Sequence, residues 1–274
     1  LKTNIPTTLV IHDLAFEHHP KDVGDLVRKY YQHYTPKYAH KAERLATVSN
    51  YSKQDIVNQY RISPDKIDVV YNGCNEMYQP SSELIQKETK QQYTKGNPYF
   101  LYVGAMHPRK NILNLFKAFD AFKKNSPSNV KLLMVGRKAW GTAEIEEVYE
   151  NMTFKEDVIF TGRVSSLDLK NILGAALALT YIPYFEGFGI PIIESQYSNT
   201  PVITSDLTSM PEVAGNAAHL VNPFSIDSIS NALLKIYQDE KYRQDLKKAG
   251  LKNCQNYTWQ KSADLLWNCM MKTI

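Results

Sequence analysis

What most restricts the fold of this 274-residue chain is a rhythm: short β-rich apolar runs alternate with stretches of helical periodicity over most of its length. From residue 99 onward, the runs Tyr99 to Val103, Lys131 to Val135, Val158 to Phe160, Ala176 to Tyr181, Val202 to Thr204 and His219 to Val221 predict strands. Helical patterns fall between them at Asn111 to Asn125, Ala143 to Asn151, Ser166 to Leu173 and Ile190 to Asn199. Strands separated by helices of ~10–15 residues read as parallel βαβ units, which assemble into a doubly wound α/β sheet. Ligands of such sheets bind beyond the carboxyl ends of the strands, so those loops are where function is sought.

The opening third repeats this grammar more faintly. Thr7 to Ile11, Leu45 to Val48 and Ile67 to Tyr71 predict strands, and Val27, Tyr31, Tyr34 and Tyr38 carry helical spacing. Ser49 to Tyr60 predicts a further helix, with Ser52 as its N-cap and Asp55 in its first turn. Together these units read as the later half of an α/β domain. Composition then turns polar: Gln79-Pro80-Ser81-Ser82 and Gly96-Asn97-Pro98 frame a linker with a short helix. The division that follows is 1–80 for a first domain, 81–97 for the linker and 98–255 for a second domain. The first residue is Leu1, and a strand-like run begins almost at once, so an upstream segment of the first domain is expected.

Composition mainly removes alternatives. A net charge of +4 from 32 basic and 28 acidic residues is too small to argue for nucleic acid, and leaves an anionic ligand or an anionic membrane surface as candidates. Cys74, Cys254 and Cys269 show no CxxC or metal spacing, which reads as free thiols in a cytoplasmic protein. No apolar run approaches the ~20 residues of a membrane-spanning helix. There is no Gly-x-x-x-x-Gly-Lys, Gly-x-Ser-x-Gly or Gly-x-Gly-x-x-Gly, which sets kinases, lipases and ordinary NAD enzymes aside. No Asp-x-Asp occurs, so no metal-borne diphosphate site is expected.

Three segments carry chemistry. The first is Tyr184-Phe185-Glu186-Gly187-Phe188-Gly189-Ile190-Pro191-Ile192-Ile193-Glu194, which follows a strand and opens a helix. Its glycines permit close backbone approach, and helix N–H groups suit an anion. A carboxylate accepts two hydroxyls at once, so one Glu for a hexose and one for a ribose makes physical sense; dipole compensation is the plain alternative for Glu194, placed in the first helical turn. The second segment is Val103-Gly104-Ala105-Met106-His107-Pro108-Arg109-Lys110-Asn111. Cations before a helix oppose its dipole, so Arg109 and Lys110 point to a bound diphosphate more than to a solvated helix start. The third is His12-Asp13 at the end of the first strand, where the histidine can meet a substrate hydroxyl or phosphate.

Glu186 and Glu194 in an E-x7-E frame, Pro108-Arg109-Lys110-Asn111, His12-Asp13, Val48-Ser49 and Val70-Tyr71-Asn72-Gly73 together resemble family 4 retaining glycosyltransferases, in particular bacterial mannosyltransferase-like members. The resemblance implies the GT-B fold: two Rossmann-like doubly wound parallel-sheet domains facing across a cleft, the first incomplete here. It implies that Glu186 and the backbone of Gly187, Phe188 and Gly189 hold the transferred sugar. It further implies that Glu194 binds the ribose, Arg109 and Lys110 the diphosphate, and the backbone at Arg163 and Val164 the base. His12 would reach the donor sugar from the first domain, and a helix within 256–274 would cross back onto that domain. Two departures stand out. Ala105 occupies a position where many relatives carry Arg, and Ser195 and Asn199 stand where they commonly carry Ala and Gly.

The expected activity is hexosyl transfer, mannosyl or glucosyl in type, from a GDP- or UDP-sugar to a saccharide or lipid-linked acceptor. It would proceed with retained configuration and without a cofactor or metal. Catalytic roles fall to His12, Glu186, Arg109 and Lys110. The alternative is a non-catalytic nucleotide-sugar-binding module, or half of a two-chain transferase whose partner supplies the missing segment. A cytoplasmic location is expected, with peripheral attachment to the inner membrane face if the acceptor rides on a lipid.

Overall fold

The computed structural model describes residues 5–137 and 143–273; the opening residue Leu1 lies outside them. Two parallel sheets organise the chain. The first is formed by β1 (Thr8–Val10), β2 (Arg44–Thr47) and β3 (Ile67–Val69), in that order. Helices α1 (Ala15–His18), α2 (Asp25–Lys41) and α3 (Asn50–Tyr60) connect its strands. Helix α4 (Glu83–Thr94) leads to the second sheet.

The second sheet has six strands: β4 (Tyr99–Val103), β5 (Lys131–Val135), β6 (Val158–Gly162), β7 (Ala178–Tyr181), β8 (Val202–Ser205) and β9 (His219–Val221). Its spatial order is β6-β5-β4-β7-β8-β9, all parallel. The intervening helices are α5 (Ile112–Asn125), α6 (Ala143–Glu150), α7 (Ser166–Ala175), α8 (Ile190–Tyr197) and α9 (Met210–Ala214). Helices α10 (Ile226–Gln238), α11 (Glu240–Asn253) and α12 (Trp259–Met271) close the chain. Strand order reverses between β4 and β7, which makes the crevice at their carboxyl ends the switch point where ligands bind.

Alternation along β4 shows how the second sheet is held. Phe100 and Tyr102 face one side and pack with Phe116, Phe119 and Phe122 of α5 and with Ile229, Leu233 and Ile236 of α10. Tyr99, Leu101 and Val103 face the other, against Leu173, Ile192 and Ile193. Both faces are dry, as a parallel sheet between helical layers requires. In α10 the buried positions Ile229, Ala232, Leu233 and Ile236 repeat at helical spacing. Each such large aliphatic side chain contributes about 1.5–3 kcal/mol on burial.

The smaller core of the first sheet gathers Leu14, Leu45, Ile56 and Ile67. Helix α12 packs on β2 and β3, where the Ser262 hydroxyl donates to the Tyr71 carbonyl. Helix α4, inside the stretch read as a linker, packs on α7 of the second sheet.

Two local expectations are corrected. Ser49, not Ser52, caps α3: it stays extended at the end of β2 (φ −157°, ψ 161°), and its side chain accepts the Ser52 N–H. Glu194 is the fifth residue of α8 and sits in its second turn, because Gly189 is left-handed (φ 92°) and the helix begins at Ile190. Asn199 does adopt the left-handed conformation (φ 56°) that its turn needs.

Candidate active site

The loop after β4 makes a tight turn of Pro108–Lys110 before α5 begins. The His107 ring accepts the Arg109 N–H (3.4 Å), and left-handed Asn111 (φ 61°) anchors the turn through its side-chain amide, which donates to the Pro223 carbonyl (2.8 Å). This presents two cations to the loop after β7. Arg109 donates to the Phe185 carbonyl (3.0 Å) and to the Glu186 carboxylate; Lys110 donates to the same carboxylate and to the Tyr181 hydroxyl (2.7 Å). Two cations sharing one carboxylate leave the group one positive charge in excess. Burial pushes the Lys110 ammonium below the usual lysine range, although Glu186 beside it works the other way.

The glycines next to Glu186 are dictated by space. A side chain at Gly187 would come within 2.5 Å of the His12 carbonyl oxygen, so the first lobe's β1 loop touches this backbone. The left-handed φ of 92° at Gly189 sets the start of α8. The Phe188 ring is buried near Tyr71 and Tyr257, with centroid separations of 6.3 and 5.6 Å, which leaves its backbone for a ligand.

A cavity of about 420 Å³ is lined by His12, Asp13, Lys110, Tyr181, Glu186, Gly187, Phe188 and Gly189, together with Gly104 and Ala105. It continues past Val103, Gly104 and Ala105 into a second cavity of about 300 Å³ that Arg163, Val164, Gly136 and Arg137 help to line. A larger hollow of about 540 Å³ between α5 and α6 lies in the helical layer, away from the strand ends, and carries none of these groups. Among the described residues, no group of three or more His, Cys, Asp or Glu side chains is arranged to hold a metal ion.

Six of the sequence candidates therefore meet in one cavity: His12, Lys110, Glu186, Gly187, Phe188 and Gly189. Arg163 and Val164 stand in the adjoining one. Arg109 is not in either lining and reaches the site through Glu186. Glu194 also lies off both linings; burial raises its pKa above the usual glutamate range, against the opposing influence of the Tyr78 hydroxyl beside it. Tyr181 and Arg137 line the cavities but were not singled out from sequence, while Asp13 was read there only as the neighbour of His12, without a role of its own. Arg137 follows a strand end, so the carboxyl-end rule could have found it. Tyr181 needed the fold, since nothing in a buried strand tells its hydroxyl end from core.

A crevice at the switch point of one Rossmann-like domain, faced by the strand-end loop of a second, is the arrangement of a GT-B glycosyltransferase. Solved structures share this fold: Anabaena HepE in complex with UDP and glucose (TM-score 0.84, 17% identity, 97% of this chain and 71% of that one). Sucrose-phosphate synthase from Thermosynechococcus elongatus matches with a TM-score of 0.82 at 20% identity, over 99% of this chain and 68% of that one. The model of the glycosyl transferases group 1 family matches residues 85–253, that of Glycosyltransferase Family 4 matches residues 1–76, and the chain belongs to the glycosyl transferases group 1 family. Its curated relatives include O-antigen chain mannosyltransferase B of Escherichia coli, 30% identical over 96% of this chain and 68% of the relative. O-antigen chain mannosyltransferase RfbU of Salmonella typhimurium is 34% identical over 84% of this chain and 61% of the relative. The chain thus spans roughly two thirds of these relatives. No helix among the described residues is long and apolar enough to cross a membrane.

Proposed function

We propose that the chain transfers a hexosyl group, mannosyl by the company it keeps, from a nucleotide-diphosphate sugar to a saccharide or lipid-linked acceptor, with retained configuration. The observation that carries this reading is the single cavity in which His12 of one lobe faces Lys110, Glu186 and the Gly187–Gly189 backbone of the other. Its continuation towards Arg163 and Val164 gives a nucleotide room beside the sugar. O-antigen mannosyltransferases as relatives support the sugar class.

In this reading Glu186 accepts sugar hydroxyls, and the diphosphate draws Arg109 and Lys110 partly away from that carboxylate. Cleavage of the glycosidic bond builds negative charge on the departing diphosphate. Preplaced cations and the N–H groups at the start of α8 stabilise that charge without reorganising, and no metal is required of them. Ala105 sits where the two cavities meet, so Arg109 and Lys110 carry the task that an Arg there would share. Glu194 serves the ribose from beside Tyr78. The division into 1–80, 81–97, 98–255 and 256–274 belongs to this reading, as do a cytoplasmic location and peripheral attachment to a membrane.

One observation favours a second arrangement. Among the described residues β1 pairs with β2 alone, and Val10 is 45% exposed. Further strands along that edge, from this polypeptide or a partner, would complete the acceptor side.

Isothermal titration with GDP, UDP and ADP, with and without Mg²⁺, tests the proposal. Metal-independent binding of one nucleotide, weakened in Glu194→Ala, is expected. Failure of all three to bind, in this chain and in one extended upstream, would overturn it.

A further inference from the structure

We propose that Glu212, which lines neither cavity of the site, is a positioning residue that clasps the two lobes over the site by completing the first turn of a helix in the opposite lobe. The proposal rests on the transferase reading for its effect on turnover, while the clasp itself stands on geometry. The first amides of any helix lack intrahelical acceptors. In α3, the Ser52 N–H is taken by the Ser49 side chain, but the two before it are not. Glu212, on α9 of the second lobe, takes both: its carboxylate accepts from the Asn50 N–H at 2.8 Å and the Tyr51 N–H at 3.1 Å. The same carboxylate accepts from the Asn50 side-chain amide (2.9 Å) and the Tyr71 hydroxyl (2.9 Å). All four donors belong to the first lobe. An anion at a helix N-terminus also meets the positive end of the helix dipole.

The clasp is continuous with the site loop. One turn before Glu212, the Ser209 hydroxyl donates to the Glu186 carbonyl (2.8 Å). On the other side the Ser49 hydroxyl donates to the Gly187 carbonyl (2.7 Å). The Glu186-Gly187 peptides are thus held from both lobes, and Glu212 joins the two elements that hold them. Its own carbonyl accepts from the Tyr257 hydroxyl (3.3 Å), just ahead of the helix that returns to the first lobe. Tyr71, one of its donors, also packs against Phe188 and Tyr257 and closes the seam with aromatic rings.

If Glu212 positions rather than reacts, removing it opens the lobes without damaging the nucleotide pocket. Glu212→Ala should lower kcat roughly tenfold to a hundredfold, the size of a lost charge-assisted contact, while the Kd for the nucleotide stays within about twofold. Amide hydrogen exchange at Asn50 and Tyr51 should accelerate, and Glu212→Gln, which keeps an acceptor oxygen, should restore part of both properties. Parent-like kcat and parent-like exchange in Glu212→Ala would overturn the clasp. A chain that transfers no sugar overturns the transferase reading alone, because exchange at the two amides still decides the clasp. Should Glu212→Ala fail to fold, Tyr71→Phe removes one donor and carries the same comparison with a smaller change.

Discussion

The two lobes solve the same folding problem with unequal means. In the second, a six-stranded sheet lies between two helical layers, with aromatic rings from β4 and α5 filling one layer and aliphatic residues of α7 and α8 the other. In the first, three short strands share one small core, and α2 leaves Leu26, Val27, Tyr30, Tyr31 and Tyr34 exposed. Yet the site draws on both. The difference separates two jobs: the second lobe builds most of the pocket, and the first brings His12 and the α3 cap to its mouth. Holding the lobes together is then a function of its own.

The largest expected effects test that inequality directly. Phe119→Ala in the second lobe should cost about 3–5 kcal/mol and carry nucleotide binding down with the fold, because its ring is fully buried under the pocket's sheet. Ile67→Ala in the first should cost about 2–5 kcal/mol and leave nucleotide affinity at the parent value in the population that stays folded. Denaturant midpoints paired with titration read both. Equal loss of binding in the two variants would mean that the lobes form one cooperative unit and would break the comparison.

Next in size come the contacts across the cleft. Arg109→Ala should weaken nucleotide-diphosphate binding by about 1.5–3 kcal/mol, roughly ten- to a hundredfold, since the guanidinium is partly buried and already bonded to Glu186. His12→Ala, from the opposite lobe, should lower kcat more than it weakens the nucleotide. If the two variants behaved alike, the assignment of donor binding to one lobe would need redrawing.

Much of this was legible in the sequence, and what was not has physical reasons. Strands β4 and β5 begin and end where their apolar runs do, because a strand buried on both faces has no other pattern to offer. Helices α10 and α11 went unread: polar residues dominate α11, and what it buries, such as Leu246 and Gly250, is too sparse to mark a face. The N-cap of α3 was placed at Ser52 because two serines compete locally, and only the extended backbone at Ser49 decides between them. In the site, types and order of residues were readable. The meeting of Arg109 and Lys110 on one carboxylate was not, since it depends on two loops 76 residues apart.

A smaller effect follows from Glu194, whose pKa burial raises. If its carboxylate form binds the ribose, affinity should begin to fall on acidification at a pH above the ordinary glutamate range of ~4.3, approaching tenfold per pH unit. Glu194→Gln should flatten that dependence. For stability the sign is opposite: the fold favours the neutral acid, so this group's contribution is greatest at low pH and fades as pH rises through its raised pKa. Calorimetric titration across pH, paired with denaturation, separates the two.

The smallest effect is the sharpest test of the division of labour, because it applies one substitution to the same device in each lobe. Ser225 caps α10 in the second lobe by accepting the Ser228 N–H (3.1 Å), and Ser49 caps α3 in the first by accepting the Ser52 N–H (3.0 Å). As caps they are equivalent, and either change to Ala should cost about 0.5–2 kcal/mol of stability. They differ in where the hydroxyl proton goes. That of Ser49 crosses to the Gly187 carbonyl, so Ser49→Ala also frees the loop proposed to hold the sugar. Turnover should therefore fall in Ser49→Ala and hold in Ser225→Ala at matched stability. Equal turnover would make the α3 cap a local stabiliser only and would reduce the first lobe's share of the site to the lining residues His12, Asp13, Val48 and Asn72.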